Sequence, residues 1–175
     1  MYQCKALKQH AQLADFQDLR NNIQSGDLLI WSSKEKTIGN LILILIRLFT
    51  LSEYSHVGIA WRVGEHLFVI EASMPEVRIV PLYKRRNFYH LPMNLTWSSE
   101  HSNRLLNYVG CRYSIVEAIR GYLGQTNPRD DRWQCAELAV DFYKHAGIDF
   151  GLAFTPAKLV EAVILQRSPK ISFIK

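Results

Sequence analysis

The sequence predicts an α+β fold, on three observations. Runs of β-branched and apolar residues cluster between residues 27 and 91, helical spacing takes over from residue 99, and the two kinds of segment do not alternate. Alternation would signal a parallel sheet with crossover helices; segregation places an antiparallel sheet or half-barrel beside a helical layer. A chain of 175 residues can bury one sizeable core, and no repeat or Gly/Ser/Pro-rich linker divides it. The expectation is a single domain, 1–175, with an N-terminal helix over about 10–23, a strand half over about 26–92 and a helical half over about 99–165.

Each element has its own signal. Leu13, Phe16, Leu19 and Ile23 recur at helical spacing. Gly26-Asp27 marks a turn, and residues 27–31 continue as a short apolar strand. Ile38–Leu51, "IGNLILILIRLFTL", reads as a buried or interfacial helix, a surface for membrane contact rather than a span. It is shorter than the roughly 20 residues a span requires, and Arg47 interrupts it. Ser55–Val63, His66–Ala72 and Val77–Leu82 read as strands separated by Gly64-Glu65 and by residues 73–76, and Phe88–Leu91 adds another. Segments 99–110, 114–124 and 131–147 read as helices closed by Gly110, Gly124 and Gly147, and Thr155-Pro156 opens a fourth.

Composition narrows the function classes. The formal charge of +5 and isoelectric point near 9.2 favour anionic partners, which bears on association rather than fold. The basic stretch at residues 83–89, "YKRRNFY", reads as a solvated loop, so nucleic acid is not an expected partner. Cys4, Cys111 and Cys135 are odd in number and widely spaced, which argues against a disulfide framework and for a reducing compartment. With no secretion signal read in the first residues, a cytoplasmic or virion- or phage-associated location is expected, with export by another route left open. Neither metal-ligand spacing nor a Gly-rich phosphate loop is present, so no metal and no cofactor are expected.

Chemistry concentrates in "DRWQCAELAVDF", residues 131–142. Asp131 with Gln134 fits a capping box and predicts a helix from residue 131. Cys135, Leu138, Ala139, Phe142 and Ala146 then share one face, while Glu137, Asp141 and Lys144 share another. A sulfur on the first turn meets unpaired N–H groups and the positive end of the dipole, both of which favour a thiolate. Alone this is no sign of catalysis, because cysteine is among the most buried residue types. A nucleophile needs a base, and the base needs an orienting partner.

Hairpin parity supplies both. If Gly64-Glu65 is a two-residue turn, Val63 faces His66, Trp61 faces Phe68 and Gly58 faces Glu71. Side chains alternate along a strand, so His56 shares a face with Gly58 and Glu71, and Gly58 leaves room for a carboxylate to reach the imidazole. His66 falls on the other face. A turn one residue longer would separate the pair.

The ordered segments "GDLLIW", "YSHVGIAW", "FVIEA", "VRIVPL", "CRYSIVEA", "WQCAEL" and "FTPAKLV" together resemble the circularly permuted branch of the NlpC-type papain-like superfamily, the YiiX/YaeF-like amidases. The likeness runs from about Gly26 to Val160. It implies a permuted papain-like fold whose helical half carries the nucleophile, with Cys135 as nucleophile, His56 as base and Glu71 orienting the imidazole. Tyr54 is implicated in holding substrate or the oxyanion. The implied activity is a thiol amidase or peptidase acting on a peptide, peptidoglycan or lipid-linked acyl substrate. Gln134-Cys135-Ala136 departs from the Cys-Ser pair common in that family.

Two rivals remain open. Lecithin retinol acyltransferase-like enzymes also combine a histidine strand with a late cysteine helix. They use a second histidine and an Asn-Cys-Glu-His motif, and only the apolar 38–51 segment favours lipid here. A binding module that has lost turnover is the other. The oligomeric state is not set by any of these features.

Overall fold

The computed structural model describes residues 12–14, 20–32, 54–114 and 132–174. The Ile38–Leu51 segment, the 114–124 helix beyond its first residue, Cys4 and Asp131 lie outside the described residues.

A hairpin forms the centre. Strand β3 (Tyr54–Val63) turns at Gly64-Glu65 into β4 (His66–Ser73), and Gly64 takes φ of +56°. A positive dihedral at the first central residue is what a two-residue hairpin turn matching the strand twist requires, and glycine adopts it without a Cβ clash. Val63 pairs with His66 and Trp61 with Phe68, the expected register. Strand β5 (Glu76–Pro81) pairs antiparallel with β4, and β2 (Leu28–Ser32) joins the other side of β3. Beyond β2 lies β6 (Phe88–Leu91).

Including β1 (Gln12–Ala14), β7 (Arg112–Tyr113), β8 (Arg132–Trp133) and β9 (Ser172–Ile174), the sheet order is β1-β9-β6-β2-β3-β4-β5-β7-β8. It is mixed rather than purely antiparallel, because β1 runs parallel to β9 and β7 parallel to β8. The fold class is therefore α+β as expected, with a corrected sheet. The N-terminal helix over 10–23 is also corrected at residues 12–14. Gln12, Leu13 and Ala14 pair with Ser172, Phe173 and Ile174, and that ladder overrides the helical spacing there.

Three helices complete the described chain: α1 (Ser99–Tyr108), α2 (Cys135–His145) and α3 (Pro156–Arg167). Thr155 caps α3 by accepting from Lys158 N–H, with Pro156 in the first turn as its fixed φ favours. Leu28, Ile30, Val57, Ile59 and Ile70 of the sheet pack with Leu138, Phe142, Leu159 and Val163 of the helices in the main core. Leu29, Ala60, Leu67, Val69, Leu82 and Phe88 form a second cluster. None of the described helices is long and apolar enough to cross a membrane.

The turn before β2 is pinned by a buried carboxylate. Asp27 accepts from Gln24 N–H at 2.8 Å, Met93 N–H at 2.9 Å and His90 Nε2–H at 2.8 Å. Gly26, at φ of +89°, has no room for a side chain: an added Cβ would stand 2.7 Å from Leu95 Cδ1.

Candidate active site

Alternation along β3 and β4 brings two of the expected residues together. His56 Nε2 donates to Glu71 Oε2 at 2.9 Å, with the carboxylate fully buried and the ring 23% exposed. Gly58 lies between them, and a Cβ placed there would stand 3.4 Å from Glu71 Cβ. The parity argument thus holds at the atomic level. Trp31, opposite His56 in β2, packs its ring 5.4 Å from the imidazole.

Two arginines not expected at the site complete the carboxylate's surroundings. One of them, Arg85, corrects the reading of residues 83–89 as a solvated loop: it reaches buried Glu71, and Phe88 and Tyr89 are buried in β6. Arg78 gives Glu71 Oε1 both Nε, at 3.0 Å, and Nη2, at 2.9 Å. Arg85 Nη2 reaches the same oxygen, and its guanidinium carbon stands 5.9 Å from the Trp31 ring centre. Arg78 is legible in principle: continuing the parity from Ser73 opposite Glu76 sets it opposite Glu71. Arg85 follows the 3-10 turn Leu82–Lys84, where no periodicity predicts direction.

Cys135 sits at the first position of α2, 6% exposed. The expected helix start at residue 131 is corrected, because Arg132 and Trp133 are strand β8. Gln134 is the cap: its Oε1 accepts from Ala136 N–H at 3.0 Å, and its own N–H reaches Glu137 Oε2 at 3.5 Å. Gln134 Nε2 also donates to Phe154 O, tying the helix start to the segment before α3. The capping pattern is real but displaced by three residues, since Gln134 opens the box that the sequence pattern has it close.

Electrostatics join the sulfur to the imidazole. Burial of the His56 ring opposes the charged form. Hydrogen bonding to Cys135 and Glu71, with the negative charge of each, outweighs it and raises His56 to about 9. Burial likewise opposes ionisation of Glu71, yet the hydrogen bond and charge of His56, then Arg85 and Arg78, hold it down at about 2. An ionised carboxylate and a protonated imidazole beside a sulfur are what neutral pH leaves here.

Tyr54 does not share the face of His56 in the simple way alternation predicts. The β2–β3 register shifts between Trp31 and Ser32, which pairs Ser32 with Tyr54. Such a bulge interrupts the two-residue period. Tyr54 is buried in the main core with its ring edge-on to Tyr89. His66 lies at the far end of the hairpin, lining a shallow cavity with Arg20, Leu67, Phe68, Pro81 and Tyr83. Among the described residues no group of three or more His, Cys, Asp or Glu side chains is placed to hold a metal ion.

No family model matches the chain, and no curated protein matches it. Among solved structures it is similar to the crystal structure of metalloprotein YiiX from Escherichia coli O157:H7. The TM-score is 0.53 at 20% identity, covering 86% of this chain and 87% of that one. The likeness is one of fold.

Proposed function

We propose that the protein is a thiol hydrolase of the permuted papain-like type, cleaving an amide or ester through an acyl-enzyme on Cys135. One observation carries the reading: His56 Nε2 is hydrogen-bonded at 2.9 Å to the fully buried carboxylate of Glu71, and hydrogen bonding to Cys135 and Glu71 raises the ring to about 9 against the penalty of its burial. The Cys135 sulfur attacks the carbonyl as its thiolate, and His56 delivers its proton to the leaving group. Water, deprotonated by the now neutral imidazole, then releases the acyl group. Glu71 stays ionised and fixes the ring. The Cys135 N–H at the start of α2 is the backbone donor for the oxyanion. Tyr54, one bulge away in β3, is assigned a supporting role in the wall behind the site.

The substrate class is a peptide, a peptidoglycan peptide or a lipid-linked acyl group. A lecithin retinol acyltransferase-like pairing with His66 is disfavoured, because His66 pairs with Val63 at the turn while His56 and Glu71 meet at the other end of the hairpin. A metal such as the name of the YiiX structure implies does not fit these residues. Both oxygens of Glu71 are already engaged, by His56 on one side and two arginines on the other.

The test is labelling with iodoacetamide near neutral pH, followed by peptide mapping. Selective modification of Cys135, slowed at least tenfold in His56→Ala, supports the reading. Equal labelling of Cys4 and Cys111, or a rate indifferent to His56, refutes it and leaves a binding module as the better description.

A further inference from the structure

We infer that the site selects an acyl substrate carrying a carboxylate next to the scissile bond, with Arg78 and Arg85 as its specificity-determining residues. The inference rests on the thiol hydrolase reading and deepens it. Two guanidinium charges converge on the single carboxylate of Glu71, and both use the same oxygen, Oε1. The other oxygen serves His56. A cysteine and a histidine that share one proton carry no net charge wherever the proton sits, so two guanidiniums against one carboxylate leave one positive charge at this wall with no partner within the cluster.

That excess charge is accessible. The Arg78 side chain is 41% exposed and that of Arg85 is 30% exposed, while the carboxylate they share is fully buried. The guanidiniums therefore cover Glu71 on its Oε1 side while part of each arginine side chain stays open to solvent near His56. Trp31 connects Arg85 to the ring, lying 5.4 Å from His56 and 5.9 Å from Arg85. These spacings fall within the roughly 10 Å over which charges act at about 0.1 M salt. A single excess charge matches a monoanion, and an arginine edge matches a planar carboxylate in geometry.

The experiment compares two alkylating agents of nearly equal size on the full chain: iodoacetate, which carries a carboxylate, and neutral iodoacetamide. Simple thiols react faster with the neutral reagent. At Cys135 the order is expected to reverse, and the iodoacetate-to-iodoacetamide rate ratio to fall roughly three- to tenfold in each of Arg78→Gln and Arg85→Gln. Arg78→Lys is expected to keep most of the ratio. If the arginines serve only to hold Glu71, both reagents slow together and the ratio stays constant, which overturns the inference while sparing the hydrolase reading. Should the variants fail to fold, the wild-type ratio itself decides. It must shrink as salt rises toward 1 M, where screening acts within about 3 Å; a salt-independent ratio overturns the inference. A wild-type Cys135 rate unaffected by His56→Ala overturns the hydrolase reading itself.

Discussion

Gly58 and Glu71 face each other across the central hairpin, and the glycine is there because nothing larger fits. A Cβ at residue 58 would stand 2.4 Å from Val69 Cγ2 and 3.4 Å from Glu71 Cβ. Val69 is β-branched and fully buried, so it has little freedom to retreat. Gly58→Ala is expected to cost about 1–3 kcal/mol by overpacking and to displace the Glu71 carboxylate from His56. Denaturant melts and the iodoacetamide rate at Cys135 both report on it. A variant as stable and as reactive as the parent would show that the close approach has no consequence.

The titrations of His56 and Glu71 predict how stability depends on pH. His56 is raised to about 9, so its contribution is complete below its ordinary value of 6.5 and lost as pH climbs through about 9. Glu71 is lowered to about 2, so its contribution is complete above its ordinary 4.5 and lost as pH falls through about 2. The alkaline loss is on the order of 3 kcal/mol. Thermal midpoints measured across pH should therefore hold level between about 5 and 6.5 and decline toward about 9. In Cys135→Ser the contribution of the sulfur to the raised His56 value is lost, and the decline should move to lower pH. A flat wild-type profile across the alkaline range contradicts the pairing.

Gln134 carries two duties at the start of α2, capping Ala136 N–H and anchoring to Phe154 O. Replacing it with alanine removes the cap, worth about 1 kcal/mol, together with the anchor. The expected result is a modest fall in thermal midpoint with a larger fall in Cys135 alkylation, as the first turn loosens around the sulfur. Equal alkylation rates in the two proteins would make Gln134 a stability residue only.

Asp27 is the most exacting polar residue away from the site. Its carboxylate is almost fully buried and accepts from two backbone N–H groups and from His90. Asp27→Ala abandons those donors in the interior, at a cost of about 3–5 kcal/mol. In a chain of this size that corresponds to a melting decrease of roughly 6–20 °C. Calorimetry on the two proteins checks it, and a shift of only a degree or two would mean that water replaces the carboxylate.

The site is more legible in the sequence than the sheet around it. His56 and Glu71 fall on one face because a two-residue turn fixes register, and register fixes sidedness. The helix face from Cys135 through Leu138, Ala139 and Phe142 is readable from its period and is buried, but Ala146 is only partly so, and Glu137, expected on the other face, is buried as well. The helix start is harder to read, because Asp131 and Gln134 satisfy the same cap spacing as Gln134 and Glu137, and local pattern does not rank the two. Strands β1, β7, β8 and β9 escape such reading because two or three residues are too few to show alternation. Their pairing is set by partners far along the chain. Arg85 escapes for a related reason: a 3-10 turn gives no parity to extrapolate.

The position of β9 between β1 and β6 has a kinetic consequence. Among the described residues, Gln12 joins the sheet through Ser172, and Ser172 also pairs with His90. Closing so long a loop carries an entropic penalty that grows slowly with length but must be met before any ladder bond compensates it. One flank of the sheet is therefore a late-assembling seam, zipped from both sides by a single three-residue segment. Refolding should proceed with the central hairpin protected early and amides of residues 12–14 and 172–174 protected last.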